Sequence, residues 1–222
     1  MSLKFEPMSE ATHRYWLELL KPEDDLLRSL SREAEAAGIP AIAVAPEQGL
    51  FLRWFMAQIG ARRVLEIGTL AGYSAICMAR GMAEASELTT CEFVPLHADF
   101  AEKMFARAGL AHRVKLLRGA ALDHLPALPD GVFDFIFIDA DKPSYSAYLT
   151  HALRLLKPGG IVCADNANAF GLIAVPDLDP RDADTPRVEC LREFNARLVS
   201  EPKLEPVYLP LGDGMLMGRK RP

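Results

Sequence analysis

Two clusters of acids and amides carry most of the chemical promise of this sequence: Asp139-Ala140-Asp141-Lys142 and Asp165-Asn166. Asp139, Asp165 and Asn166 offer oxygen donors only. That set suits a hard cation, Mg²⁺, Mn²⁺ or Ca²⁺, rather than Zn²⁺. The five histidines are dispersed, with no HxxxH or HxH pair. His97, His112 and His151 read as solvated helix or turn residues. Asp and Asn also favour turns for conformational reasons alone, and a lone pair would carry no more than that. Two such clusters closing neighbouring strands favour a metal. Lys142 follows Asp139 closely, where a dication would favour its neutral amine, the form that takes a proton as a general base. Its bland alternative is a surface lysine paired with Asp141.

Each cluster ends a short apolar run. Residues 133–138 (FDFIFI) and 160–164 (GIVCA) are the length of strands and rich in aromatic or β-branched side chains. Between them, residues 145–156 read as one helix, stopped by Lys157-Pro158-Gly159-Gly160. In parallel sheets such strand–helix–strand units place ligand sites at the carboxyl ends of the strands. Both polar clusters fall there, so their oxygens can converge.

The same alternation begins at Arg63. A strand over 64–67 (VLEI) runs into the turn Gly68-Thr69-Leu70-Ala71-Gly72 and a helix over 73–80. A strand over 88–91 ends at Glu92, a helix covers 95–108, and a strand over 114–117 leads to Gly119-Ala120-Ala121. A short helix near 122–125 and a loop over 126–131 precede the unit already described. This order predicts an α/β fold with a mostly parallel sheet and helices on both faces. The glycine turn is GxxxG, neither the GxGxxG of a dinucleotide site nor a P-loop with its Gly-Lys-Ser/Thr. Glu66, just before the first glycine, is awkward beside a pyrophosphate but compatible with a cationic ligand. S-adenosylmethionine carries a sulfonium and an ammonium and no phosphate. Glu92 stands where an acid accepts hydrogen bonds from ribose hydroxyls.

The 222 residues fit a single domain over 1–222, with a helical appendage over about 1–60 and the α/β core over about 63–222. Pro22 reads as the first residue of one helix, and Pro46-Glu47 opens another with Leu50, Phe51, Trp54, Phe55 and Ile59 as its buried stripe. A net charge of −5 and the lack of a basic stripe disfavour nucleic acid. No apolar run is long enough to span a membrane, and MSLKFEPMSE lacks the apolar core of a signal peptide. The scattered cysteines Cys77, Cys91, Cys163 and Cys190 read as reduced thiols, which points to the cytoplasm. Residues 167–186 contain three prolines and four aspartates and read as a long loop at the mouth of the site, a candidate lid. A helix over 187–199 follows, and the tail LEPVYLPLGDGMLMGRK reads as two strands joined through Gly212-Asp213-Gly214.

Six blocks, in order, then carry a resemblance: APEQGLFLRWF, VLEIGTLAGYSAICMA, FDFIFIDADKPSYSAYL, LLKPGGIVCADN, REFNARL and PLGDGMLMGRK. The chain resembles the cation-dependent class I S-adenosylmethionine O-methyltransferases of the caffeoyl-CoA and catechol type. The resemblance implies a Rossmann-like seven-stranded sheet whose last strand is inserted antiparallel, and a homodimer. It implies that Asp139, Asp165 and Asn166 bind the dication, usually Mg²⁺, and that Lys142 takes the proton from the acceptor hydroxyl. Glu66, Gly68, Ser74, Glu92, Ala121 and Asp141 would contact S-adenosylmethionine. Val44 stands where the family often has Thr, leaving a backbone contact. One departure is clear: plant members follow Asp-Asn with Thr-Leu-Trp, whereas here the run is Ala167-Asn168-Ala169-Phe170. Phe170 would replace the Trp as a wall of the aromatic pocket, or the acceptor differs in shape.

The implied reaction is metal-dependent methyl transfer from S-adenosylmethionine to a hydroxyl of a small catechol-like acceptor. The alternatives are a non-catalytic S-adenosylmethionine-binding protein and an NAD-dependent oxidoreductase. The GxxxG spacing and Glu66 argue against the second, and retention of every metal and base position argues against the first.

Overall fold

The computed structural model describes residues 8–179 and 181–222. The helical expectation for residues 1–7 and the loop residue Pro180 lie outside the described residues. The helices are α1 (Glu10–Leu20), α2 (Asp25–Ala36), α3 (Pro46–Gln58), α4 (Tyr73–Gly81), α5 (Pro95–Arg107), α6 (Ala121–His124), α7 (Tyr145–Leu155) and α8 (Thr185–Ser200). The strands are β1 (Arg63–Ile67), β2 (Glu87–Glu92), β3 (Val114–Arg118), β4 (Phe133–Ile138), β5 (Leu156–Ala164), β6 (Leu204–Leu209) and β7 (Met215–Lys220). They form a seven-stranded sheet in the order β3-β2-β1-β4-β5-β7-β6. The first five run parallel, and β7 enters antiparallel between β5 and β6. This bears out the expected Rossmann-like class I fold.

Side chains alternate across the sheet with period two. Val64 of β1 packs with Leu52, Met56, Ile76 and Phe105 under α3–α5. Leu65 and Ile67 pack on the other face with Tyr145, Leu149 and Phe194 under α7 and α8. No helix among the described residues is long and apolar enough to cross a membrane.

Three elements depart from the sequence reading. The α2 helix starts at Asp25, not Pro22, because the Asp24 carboxylate accepts the Leu27 amide at 3.0 Å and so caps the helix. The α3 helix is rotated in part: it buries Gln48, Gly49, Leu52 and Met56, keeps Phe51, Phe55 and Ile59 of the expected stripe partly buried against the core, and exposes Trp54. The cause is a close approach to α4, where a Cβ on Gly49 would sit 2.8 Å from the Tyr73 ring. The β5 strand begins at Leu156, and residues 157–160 bulge where its register with β4 shifts between Phe133 and Phe135.

Candidate active site

The sheet order reverses between β1 and β4. A crevice at the carboxyl ends of strands flanking such a switch point is where ligands bind in open α/β sheets. A cavity of about 1190 Å³ opens there, lined by segments that follow β1, β2, β3, β4 and β5, together with residues 41–45 and Gln48 from the N-terminal helical part.

The turn after β1 is packed against the end of β4. The Asp139 amide donates to the Ile67 carbonyl at 2.9 Å. Gly68 has φ +99°, and a Cβ on it would fall 1.9 Å from the Asp139 carbonyl oxygen. Only a glycine lets the two strand ends lie this close. Glu92, at the end of β2, holds the same turn from the other side. Its carboxylate accepts the Leu70 amide at 2.7 Å, the Thr69 amide at 3.3 Å and the Val94 amide at 2.8 Å.

Val44, Gly68, Ser74, Glu92, Ala121 and Asp141 all line the cavity. Glu66 does not. It is fully buried behind Ser74 and Thr90, whose hydroxyls each donate to it at 2.5 Å. Burial pushes its carboxyl up to about 8, partly offset by those two hydroxyls. The contact surface here is therefore Ser74, with Glu66 behind it.

Asp139 and Asp165 come together because β4 and β5 end in register, Ile138 opposite Ala164. Asp165 is buried, with one oxygen accepting from Gln48 Nε2 at 2.7 Å. Burial, and then the Asp139 charge, push its carboxyl up to about 6. Asn166 donates its amide nitrogen to Asp213 at 3.3 Å. That leaves the amide oxygen of Asn166, and one carboxylate oxygen of Asp139, without a hydrogen-bond partner among the described residues. No group of three or more His, Cys, Asp or Glu among the described residues is placed to hold a metal. The set here is two acids and an amide, all oxygen donors, which fits a hard dication and not a thiolate- or imidazole-seeking one.

Lys142 is buried beside this set. Its Nζ lies 3.3 Å from Asp139 and donates to the Tyr145 hydroxyl at 2.7 Å. The paired-surface-lysine alternative fails on burial and on partner: Asp141 instead accepts from the Tyr148 hydroxyl at 2.5 Å.

A sequence profile of the family described as O-methyltransferase matches residues 18–221. The chain belongs to the O-methyltransferase family. A catechol O-methyltransferase from Niastella koreensis is 42% identical over 205 residues, covering 91% of this chain and 90% of that protein. A catechol O-methyltransferase from Mycobacterium tuberculosis is 44% identical over 163 residues, covering 73% of this chain and 72% of that one. The crystal structure of the O-methyltransferase from Bacillus cereus in complex with SAH superimposes with a TM-score of 0.85. It is 37% identical and covers 95% of this chain and 97% of that one. These likenesses bear out the family read from the sequence blocks.

Sequence reasoning did not single out several residues that shape the site of this O-methyltransferase. Gln48 joins α3 to β5: its oxygen accepts the Ala45 amide at 2.9 Å while its nitrogen holds Asp165. A glutamine at the third residue of a helix is a capping signal, but its second partner lies 117 residues away. Asp213, in the β6–β7 turn, accepts from Asn166 and from the Phe170 amide. A turn aspartate gives no hint of that reach. Tyr145 anchors Lys142 from the first position of α7. His97 departs from its solvated reading: it lines the cavity, 3.5 Å from Glu92.

Proposed function

We propose that this protein transfers a methyl group from S-adenosylmethionine to a hydroxyl of a catechol, with a divalent cation held by Asp139, Asp165 and Asn166. The observation that carries the proposal is the convergence of these oxygens and the buried Lys142 amine at the strand ends, in one cavity with the glycine turn and Glu92. The relatives named catechol O-methyltransferase support the acceptor class, and the SAH-bound neighbour supports the methyl donor.

A bound dication would supply Lewis acidity that eases loss of a proton from a chelated catechol hydroxyl. Bound S-adenosylmethionine would supply the methyl group on a cationic sulfur. The rest falls to the chain. Lys142 Nζ, held by Tyr145, would receive the hydroxyl proton and return it to solvent after turnover. Ser74, Asp141, Val44, Gly68 and Ala121, which line the cavity, would wall the donor. Glu92 holds the turn and would accept from the ribose hydroxyls of the donor. Gln48 and Asp213 fix Asp165 and Asn166 in rotation, so positioning is paid before the acceptor arrives.

The deciding experiment is methyl transfer from labelled S-adenosylmethionine to catechols and monophenols, with Mg²⁺ or with a chelator. Transfer to catechols alone, abolished by chelator, is expected. Transfer untouched by chelator would make the three oxygen donors structural. Donor binding without transfer to any phenol would favour a non-catalytic S-adenosylmethionine-binding protein, and NAD binding would favour an oxidoreductase.

The same proposal extends to assembly and compartment. The single domain expected over 1–222 is supported, among the described residues, by residues 41–45 and Gln48 of the helical part, which wall the same cavity as the strand ends. A homodimer is supported by α1, which buries none of its residues and exposes Tyr15, Trp16, Leu19 and Leu20. A cytoplasmic setting is supported by four free cysteines, three of them buried.

A further inference from the structure

The outer wall of the cavity holds a pair that neither the family match nor the relatives' names assign, Phe170 and Arg187. Phe170 lies in a segment with three non-glycine residues in the left-handed region: Asn166 at φ 62°, Ala169 at φ 49° and Phe170 at φ 56°. Such residues persist when their surroundings hold them there. Here the β6–β7 turn does so. Both Asp213 carboxylate oxygens accept the Phe170 amide, at 3.0 and 2.9 Å, and the Asn168 and Ala167 amides donate to the Asp213 and Gly214 carbonyls at 2.9 Å. The Phe170 ring is thereby kept at the mouth, 62% exposed.

The Arg187 guanidinium lies 5.5 Å from the centre of that ring. It donates one Nη1 bond to Asp184 at 3.0 Å, and Nε and Nη2 have no partner among the described residues. These two nitrogens form the planar fork that matches a carboxylate. The remaining cavity wall is mostly apolar, and its charged members are chiefly acids: Glu92, Asp139, Asp141, Asp165 and Asp213. The other Lys or Arg among the described lining residues, Lys142, is engaged by Asp139 and Tyr145. Among the described lining side chains, Arg187 is the cation with donors free to receive a negative charge on an acceptor.

Given the catechol acceptor proposed for this site, we infer that Arg187, resting on Phe170, binds a carboxylate carried by the acceptor ring away from its hydroxyls. The acceptor class is then a catechol carboxylic acid rather than a neutral catechol. Arg187 is a specificity-determining residue and takes no part in the proton transfer.

The test is a comparison of kcat/KM for 3,4-dihydroxybenzoate and 4-methylcatechol, with Mg²⁺, for the wild type, Arg187→Gln, Arg187→Glu and Phe170→Leu. The wild type is expected to prefer the acid. Arg187→Gln should lower the acid-to-neutral ratio about tenfold through KM, the scale of one charge-assisted hydrogen bond, and Arg187→Glu should lower it further. Phe170→Leu should lower it by a smaller factor. Raising the salt concentration should erode the wild-type preference. Melting curves establish that the variants fold. A wild type that methylates both acceptors, with a ratio unmoved within twofold by either Arg187 change, overturns the inference and leaves the proposed reaction standing. Transfer to neither acceptor overturns both.

Discussion

Replacing Gly68 by alanine isolates the contact that brings the glycine turn and the acidic cluster together. The added Cβ would stand 1.9 Å from the Asp139 carbonyl oxygen, 2.8 Å from its carbon and 3.3 Å from the Ala140 Cα. All three are backbone atoms, so no side chain can swing away. The ends of β1 and β4 must part by roughly 1.5 Å before ordinary van der Waals contact returns. Overpacking of this kind costs about 1–3 kcal/mol. The backbone at φ +99° adds about 1–3 kcal/mol for a residue with a side chain. Together these predict a loss of about 2–6 kcal/mol and a Tm roughly 5–20 °C lower for a chain of this size. Because Asp139 moves with the strand end, kcat/KM should fall about 100-fold even where the protein is fully folded. Gly131→Ala is the control: it sits at φ +65° with nothing within 4 Å of its Cβ, so it meets the backbone term alone, about 1–2 kcal/mol. Thermal unfolding and methyl-transfer assays on both variants decide the matter. If Gly68→Ala melts with Gly131→Ala and keeps turnover within twofold of wild type, the strand-end contact does not position the site.

Asp139→Ala should lower methyl transfer by about 1000-fold or more, because it removes a proposed metal oxygen and strips Lys142 of its ion-pair partner. Near wild-type turnover at saturating Mg²⁺ would refute this. Glu92→Ala should raise the KM for S-adenosylmethionine more than it lowers kcat, since the Thr69 and Leu70 amides of the glycine turn, and the Val94 amide beside it, lose their acceptor at the proposed donor pocket. An unchanged donor affinity by calorimetry would place Glu92 outside that pocket. Glu66 predicts a pH dependence of the ligand-free protein. Its carboxyl rises from 4.5 to about 8 on folding, so the folded state binds more protons between those values. Stability should therefore fall as pH rises through that window. Glu66→Gln should flatten the slope in denaturant titrations, and an unchanged slope would show that Glu66 ionises without cost.

Much of this protein is determined by local pattern. Alternating strand-length apolar runs, helices and a GxxxG turn specify a parallel α/β sheet, because period and turn chemistry act over a few residues. Putting Asp139 and Asp165-Asn166 at strand ends is also local, and parallel pairing then forces their convergence whatever the helices do. What the tertiary structure alone decides is which distant groups meet. Gln48 reaches Asp165 across 117 residues, Asp213 holds Asn166 and Phe170 from a hairpin turn, and Arg187 comes to rest on Phe170. Each of these residues has an ordinary local role, as a helix cap, a turn acid or a surface arginine, so sequence carries no separate mark for its second partner. The rotation of α3 has the same origin: its apolar residues would allow another face, and the close approach at Gly49 selects the one that is buried. Glu66 shows the reverse case. Its position before the glycine turn pointed to the ligand, but the backbone aims its side chain between β1, β2 and α4, where Ser74 and Thr90 enclose it. Residue type and spacing decide which chemistry is possible, and packing decides which side chain presents it.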